Sequence, residues 1–313
     1  MLNKLDNFIP EVCIYHNVTT NFPCPDGIAS AWVVNRKYPD IKLIGWTYQD
    51  CENLIYPDIK EYQNILVVDF SLPVHFLDEH RDKNIVIIDH HDGFNQKILA
   101  VKSYNLENFI FNEYECGATL TWKQLFPNEP LPLFLQWVRD RDINLRKFEN
   151  IEIIHAGMGA IGRTFNLYDQ LYENEIYERD NGLEIGKFNY DLLYSPGLKS
   201  VTKKNEKMTK YLSRVQFWNN TPLVVLNKSD MYLKTDMANF LFKEFSKSEL
   251  CLILDKSDNS AIRVRSQSLN LIDIFQKYLI VNGHKQAASF HWKNSIPDLK
   301  NFLFNMPELQ TYI

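Results

Sequence analysis

A short run of β-branched residues ends directly in a cluster of polar side chains. Residues 84–88 read Asn-Ile-Val-Ile-Ile and lead into Asp89, His90, His91, Asp92 and Gly93. The run is too short and too β-branched for a helix, so it predicts a central strand of a parallel sheet. Open α/β sheets bind ligands at the carboxyl ends of such strands. The alternative interpretation is a polar turn that bends at Asp92 and Gly93.

A second strand with a similar ending argues against the turn. Residues 65–68 are Ile-Leu-Val-Val, and Asp69 follows them. Parallel strands deliver their ends to one edge of the sheet, so Asp69 is expected beside residues 89–91. Carboxylates mixed with imidazoles suit Mn²⁺, Mg²⁺, Fe²⁺ or Zn²⁺, and a bridging carboxylate allows two ions. Two ions about 3.5–4 Å apart activate a water and hold both oxygens of an in-line phosphoryl displacement.

Strands and helices alternate along the whole chain. In the first part we expect strands over 11–15, 42–48, 65–69 and 85–89, and helices from 26, over 74–79, 117–125 and 133–139, and with helical spacing from 165 to 194. In the later part we expect strands over 223–226, 250–254, 261–265 and 287–292, and helices over 236–245 and 271–278. The sequence therefore predicts an α/β fold, with a mostly parallel N-terminal sheet flanked by helices and a smaller C-terminal α/β domain across a cleft.

Proline and glycine suggest where the domains join. Ser195, Pro196 and Gly197 predict a break in the chain, and a basic segment follows, over 199–214. We expect that segment to be a solvated helix face. We therefore divide the chain into an N-terminal domain with the metal site (1–195), a linker helix (196–220) and a C-terminal domain (221–313).

Composition excludes some classes of protein. The net charge of −5 argues against a protein that binds long nucleic acid stably by neutralising many phosphates. The five cysteines are scattered, so we do not expect a disulfide framework. We expect the protein to reside in a reducing compartment. The N-terminus lacks the pattern of a signal peptide, and no apolar run approaches a membrane span. We expect a cytoplasmic protein with no membrane partner, and the sequence leaves a homodimer open.

Other candidate ligands lie near predicted strand and helix ends. His16 follows the first strand and Asp26 opens the next helix, although Asp26 alone would also fit an N-cap. Asp140 and Asp142 stand among arginines and could instead form a surface ion-pair cluster; of the two we favour Asp142 as the ligand. Residues 157–162 match the dinucleotide-binding pattern Gly-x-Gly-x-x-Gly. No clean strand completes a βαβ unit after them, so we interpret these glycines as sites of close packing.

Taken in order, these motifs resemble the DHH phosphoesterase family, the group with RecJ-like exonucleases, nanoRNases and cyclic-dinucleotide phosphodiesterases. The elements that carry the resemblance are His16 with Cys24-Pro25-Asp26-Gly27, then Val68-Asp69-Phe70-Ser71, Asp89-His90-His91, Gly117-Ala118-Thr119-Leu120-Thr121-Trp122 and Arg141-Asp142. The later part resembles the DHH-associated C-terminal domain, through Arg263-Val264-Arg265-Ser266, Asn282-Gly283-His284 and Ala287-Ala288-Ser289-Phe290.

The resemblance implies roles for individual residues. His16, Asp26 and Asp69 resemble the ligands of one metal ion, and Asp69, His90 and Asp142 those of another, with Asp69 bridging. His91 stands where the family has a histidine near the scissile phosphate, and Asp89 would orient its neighbours. Substrate phosphate or a terminal nucleotide would be held by Arg265, His284, Gly283 and Arg263. Because Arg263 and Arg265 alternate with Val264, we expect one of the two arginines to face solvent only.

Three departures from the family pattern bear on function. Ile28 stands where the common motif has a second aspartate, so one ligand of the second metal is missing. The loop between His16 and Asp26 is longer than usual, and the glycine-rich loop is reduced to residues 281–284. The resemblance implies a hydrolase of the exonuclease or phosphatase type that uses two Mn²⁺ or Mg²⁺ ions on a short oligonucleotide or small nucleotide. The alternatives are a nucleotide-binding regulatory protein with impaired catalysis, and a phosphoesterase for a non-nucleotide phosphate such as pyrophosphate.

Overall fold

The computed structural model of the protein describes residues 5, 8–19, 22–91, 108–256, 261–279, 282–284, 286–292, 294–310 and 312. The turn predicted at Asp92 and Gly93 lies outside these residues, as does Val281. The chain divides into two compact units, Met1–Val201 and Thr202–Ile313.

The first unit is built on a parallel sheet. Its strands are β1 (Val12–Thr19), β2 (Phe22–Pro23), β3 (Lys42–Trp46), β4 (Asn64–Val68), β5 (Asn84–Asp89) and β6 (Phe109–Phe111). Five of these are parallel, in the order β3-β1-β4-β5-β6, and the short β2 pairs antiparallel with β1. The predicted mostly parallel sheet is confirmed.

Helices cover this sheet. They are α1 (Pro25–Lys37), α2 (Tyr48–Glu52), α3 (Val74–Glu79), α4 (Gly117–Leu125), α5 (Leu133–Asp142), α6 (Ile151–Ile161), α7 (Phe165–Asp180) and α8 (Lys187–Leu212), the last of which runs past the division between the units. Alternate residues of β4 enter different cores: Leu66 and Val68 pack with Trp32 of α1, while Ile65 and Val67 pack with Phe76 of α3. Burial on both faces explains why the central strands are apolar without interruption.

The chain reverses its direction of sheet growth beside β1. From β1 it goes to β3 on one side, and then to β4, β5 and β6 on the other. The carboxyl ends of β1 and β4 therefore flank a topological switch point, where open α/β sheets bind their ligands. Because Tyr15 pairs with Val68, His16 and Asp69 follow the same register position of these two strands.

The second unit contains a mixed sheet with helices. Its elements are β7 (Gln216–Trp218), β8 (Thr221–Leu226), a 3₁₀ helix (Lys228–Leu233), α9 (Lys234–Glu244), β9 (Leu250–Asp255), β10 (Ala261–Ser266), α10 (Leu271–Phe275), β11 (Asn282–His284), β12 (Ala287–His291) and α11 (Ile296–Phe304). The strand order is β11-β12-β10-β9-β8-β7; β8 and β9 are parallel and the other pairs antiparallel. The expected C-terminal α/β arrangement is confirmed.

Two segments with special sequence patterns, residues 195–197 and 157–162, both belong to helices in the structure. The break predicted at residues 195–197 is wrong, because Pro196 and Gly197 lie inside α8. Residues 157–162 belong to α6 and its C-terminal end, and residues 151–154, which the dinucleotide pattern would need as a strand, form its first turns. A Cβ on Gly157 would overlap the carbonyl of Leu193, and one on Gly197 would overlap that of Ile153. These glycines therefore permit close packing of α6 on α8.

Within the described residues, no helix combines the length and the apolar character needed to cross a membrane. All five cysteines are free thiols.

Candidate metal centre

Asp69 lies at the centre of a buried polar cluster. It follows β4 directly and adopts a left-handed backbone conformation, with φ of 53°, while its amide donates to the carbonyl of Ile88 at 3.0 Å. Its Oδ2 lies 3.6 Å from His16 Nδ1, and its Oδ1 lies 3.2 Å from His90 Nε2. Left-handed backbone costs a non-glycine residue about 1 kcal/mol or more, although Asp tolerates it better than most. The turn brings the carboxylate between two histidines.

Asp26 is held by the start of a distant helix. The amides of Gly117 and Ala118, in the first turn of α4, donate to its two carboxylate oxygens at 2.5 and 2.8 Å. A Cβ on Gly117 would lie 2.5 Å from Cβ of Asp69, so only glycine at position 117 lets the start of α4 come this close to Asp69. Asp26 Oδ2 is also 3.4 Å from His90 Nε2. The interpretation of Asp26 as only an N-cap does not fit, because its carboxylate makes contacts far from its own helix.

The structure separates the roles of Asp140 and Asp142. Asp142 ends α5 and places Oδ2 3.5 Å from His90 Nε2. Asp140 is buried and accepts hydrogen bonds from the amides of Lys147 (2.8 Å) and Phe148 (3.3 Å). Asp142 therefore belongs to the cluster, whereas Asp140 holds the loop after α5.

Charge crowding perturbs the titration of the cluster. Burial, together with the negative charges of Asp69 and Asp142, raises the pKa of Asp26 well above its usual range. Burial also acts to raise the pKa of Asp69, but the imidazoles of His16 and His90 outweigh it and hold that pKa well below its usual range. Burial disfavours charged His90, yet its bond to Asp69 and the nearby carboxylates raise its pKa to about 10. A divalent cation in this place would relieve the same excess of negative charge.

Asp89 fixes the orientation of His91. Its Oδ1 lies 2.7 Å from His91 Nδ1 and also accepts from the amide of His90 at 2.8 Å. Its Oδ2 accepts from the hydroxyl of Ser71 at 2.7 Å. Burial opposes the charged form of His91, but Asp89 raises its pKa to about 9. The contact with Asp89 therefore engages Nδ1 of the His91 ring. Sequence reasoning had given Ser71 no part in this arrangement.

The cluster fits a divalent metal. Among the described residues, three groups offer ligand atoms within 4.8 Å of one another: Asp26, His90 and Asp142; His16, Cys24 and Asp69; and Asp69, Asp89, His90 and His91. His16 Nδ1 and Asp69 Oδ2 are buried and have no hydrogen-bond partner, which is costly unless an ion satisfies them. The resemblance had grouped Asp26 with His16, whereas the structure groups it with His90. Cys24, which belongs to a motif found in the sequence but was given no ligand role there, is a further neighbour.

A cavity of about 190 Å³ borders this cluster. Its lining residues are Pro25, Val138, Arg141, Asp142 and His155. The cavity places a cluster carboxylate near a histidine and an arginine, and the Nε of that arginine, Arg141, lies 3.2 Å from Glu152 Oε2.

The second unit carries a separate group of cations. Arg263 and Arg265 lie on the same face of β10, and both are half-buried, so the expectation that one of them only faces solvent is wrong. Their hydrogen bonds go to the carbonyls of Ala261 and Val264. Partial burial and repulsion from both arginines lower the pKa of Lys234, which begins α9. In the described part of the chain, no carboxylate forms an ion pair with any of these three cations.

The predicted glycine-histidine pair belongs to the same sheet. Gly283 pairs with Ala288, and His284 pairs with Ala287, which in turn pairs with Arg265. The four predicted substrate-binding residues therefore lie on β10 and β11, the two strands that pair with either side of β12. Lys234 is an addition that sequence reasoning missed, because it is far from these strands in sequence.

Comparison with known proteins adds to this geometry. No family model matches the sequence. An uncharacterized protein, R106, of Acanthamoeba polyphaga mimivirus is 27% identical over 298 residues. The match covers 89% of this chain and 66% of that protein, so the chain spans about two thirds of the relative's length.

Solved structures resemble the chain over most of its length. The crystal structure of RecJ from Thermus thermophilus in complex with Mn²⁺ matches 93% of this chain and 50% of its own, with a TM-score of 0.55 and 10% identity. The chain has a RecJ-like fold. A pGpG-specific phosphodiesterase, PggH, from Vibrio cholerae matches 96% of this chain and 100% of its own, with a TM-score of 0.49 and 13% identity. An exopolyphosphatase-related protein from Bacteroides fragilis matches 96% of this chain and 92% of its own, with a TM-score of 0.48 and 14% identity.

Proposed function

We propose that the protein is a metal-dependent phosphodiesterase or phosphatase that hydrolyses short oligonucleotides or small nucleotides. The observation that carries the proposal is the buried cluster around Asp69, at the switch point of a parallel sheet. It combines oxygen and nitrogen ligands with two buried atoms, His16 Nδ1 and Asp69 Oδ2, that have no hydrogen-bond partner. The RecJ structure that shares the fold was obtained with Mn²⁺, which supports Mn²⁺ as the native ion.

The residues divide into holding and reacting groups. His16, Asp26, Asp69, His90 and Asp142 would hold one or two ions, with Asp69 shared. A bound divalent ion supplies positive charge that makes water more acidic and neutralises phosphoryl oxygens. His91, kept in one orientation by Asp89, would donate a proton from Nε2 to the leaving oxygen, and its raised pKa keeps that proton available at neutral pH. Arg141 and His155 line the adjacent cavity and would position the phosphate.

The C-terminal unit would supply substrate binding. Arg263, Arg265 and Lys234 are cations without carboxylate partners among the described residues, and a planar guanidinium binds phosphate through two hydrogen bonds. Gly283 and His284 lie on β11, which β12 separates from β10. Three cations match a ligand with few phosphates. The acidic net charge of the chain also favours a short ligand over a long nucleic acid.

The test is release of mononucleotide or inorganic phosphate from a defined set of substrates. Short RNA and DNA oligomers, pApA, 3′,5′-bisphosphorylated adenosine and pyrophosphate are each incubated with Mn²⁺ or with a chelator. We expect Mn²⁺-dependent release that falls by roughly 10³-fold or more in Asp69→Ala and His90→Ala. His291→Ala, which removes an exposed imidazole from β12, serves as the matched control and should retain activity. Undiminished hydrolysis in both cluster variants would show that the site is elsewhere.

Ile28 favours a second candidate, a nucleotide-binding regulatory protein with impaired catalysis. The side chain packs against the core of the first unit, where the family motif has a carboxylate. Metal content separates the candidates: two bound ions with turnover support the enzyme. Tight nucleotide binding without turnover on any substrate of the set supports the regulatory protein, and hydrolysis of pyrophosphate alone would instead indicate a non-nucleotide substrate.

A further inference from the structure

Cys24 lies against the metal-binding cluster. It is the residue before α1 and is nine-tenths buried. Its Sγ, a ring nitrogen of His16 and a carboxylate oxygen of Asp69 all lie within 4.8 Å of one another. Asp69 is only 1% exposed, and its Oδ2 has no hydrogen-bond partner. The thiol therefore lies beside atoms that already require a ligand.

The spacing of the neighbouring atoms suits a single ion. Two ligand atoms bound about 2.1 Å from one ion at a tetrahedral angle lie ~3.4 Å apart. His16 Nδ1 and Asp69 Oδ2 are separated by 3.6 Å. A small inward movement of the Cys24 side chain would complete a set of nitrogen, oxygen and sulfur ligands, which is typical of zinc rather than magnesium sites.

We propose that Cys24 is a thiolate ligand of the ion held by His16 and Asp69, so that this half of the centre prefers a thiophilic divalent ion such as Zn²⁺, Co²⁺ or Cd²⁺. The proposal rests on the proposed function in taking the cluster as a metal centre. The other half, formed by Asp26, His90 and Asp142, offers only oxygen and nitrogen and suits Mn²⁺ or Mg²⁺. On binding, the S–H bond breaks, a sulfur–metal bond forms, and the proton passes to solvent.

Cys116 provides a natural comparison. It also precedes a helix, α4, and is fully buried. Its Sγ, however, lies 3.6 Å from the hydroxyl of Thr119 and interacts with the carboxylate of Asp26, and Cys116 belongs to none of the three ligand groups found among the described residues. Burial at a helix start therefore does not by itself make a thiol a ligand in this protein, and the distinguishing feature of Cys24 is the pair of unsatisfied atoms beside it.

The test follows the sulfur directly by ultraviolet spectroscopy. The full-length metal-free protein is titrated with Cd²⁺ and Co²⁺, and the thiolate-to-metal charge-transfer band is recorded. We expect the band in the unmodified protein and in the matched variants Cys116→Ser and Cys251→Ser, and its loss in Cys24→Ser. Competition titrations should show Zn²⁺ affinity reduced by roughly 100-fold or more in Cys24→Ser, with Mn²⁺ affinity changed less than about threefold.

Each other result overturns the proposal. A band that persists in Cys24→Ser assigns the sulfur to another residue, and Cd²⁺ bound to the unmodified protein without a band, or no Cd²⁺ binding at all, excludes a thiolate ligand. The last two results do not depend on a variant folding, and retained Mn²⁺ binding reports that Cys24→Ser has folded. A Cys24-dependent band without hydrolysis would contradict the proposed function alone, whereas hydrolysis without a band would contradict this inference alone.

Discussion

His91 shows at the scale of one residue how the cluster couples charge to stability. Its pKa is raised to about 9, above the ~6.5 of an unfolded chain. A raised imidazole pKa stabilises the folded state fully below pH ~6.5, and this contribution is lost as the pH rises through about 9. We expect the free energy of unfolding of the chelator-treated protein to exceed that of His91→Asn most at pH 6, and the difference to shrink towards pH 9.5, as measured by urea denaturation. A difference that grows with pH would contradict the charged Asp89–His91 pair.

Single residues also show where sequence reasoning succeeds. Asp69 and His90 could be predicted to meet because each follows a parallel strand, and such strands end at one edge. The contact of Asp26 with Gly117 could not be derived in this way. It joins residues 91 positions apart, and it depends on the absence of a side chain at glycine. The ligand role of Cys24 was missed for a related reason. It depends on neighbouring atoms that lack hydrogen-bond partners, and hydrogen bonding can be read only from the folded chain.

At the scale of elements, the packing of α6 on α8 depends on which glycines lie in the contact. A Cβ on Gly157 would overlap the carbonyl of Leu193, whereas one on Gly159 would meet only the flexible end of Arg163, at 3.0 Å. We expect Gly157→Ala to destabilise the protein by about 1–3 kcal/mol. Gly159→Ala, in the same helix, should be neutral or stabilising by up to about 1 kcal/mol because alanine favours helix. Thermal and urea unfolding measure both; equal effects would refute a close contact at Gly157.

The same contact explains an error at this scale. Pro196 and Gly197 both disfavour the interior of a helix, so the sequence predicted a break. In the structure the helix continues, and the lack of a side chain at Gly197 allows contact with Ile153 of α6. Tertiary packing here outweighs local propensity, which single-sequence patterns do not report. The strongly apolar β4 and β5 carry their own signal, and for them prediction and structure agree to within one residue at each end.

At the scale of the molecule, chemistry and substrate binding are expected to be carried by different units. The cluster around Asp69 belongs to the first, and the cations Arg263, Arg265 and Lys234 belong to the second. The chain as a whole is acidic, and in the described part of the second unit these three cations have no carboxylate partners, which is why we propose them as the site for an anion.

This division predicts separable kinetic effects in the full-length protein. Arg265→Gln removes a donor that would bind phosphate in the ground state and the transition state alike, so we expect KM to rise roughly 10- to 100-fold while kcat and bound metal stay unchanged. Lys234→Gln should act in the same direction but less strongly, because a lysine offers a point charge rather than a planar fork. Lys277→Gln, which removes a lysine paired with Glu308 in the same unit, is the control and should leave KM unaltered. Initial rates with pApA and metal analysis of each variant distinguish the cases: a fall in kcat with loss of metal in Arg265→Gln would mean that the second unit supports the metal centre, and an unchanged KM would mean that these cations do not bind the substrate.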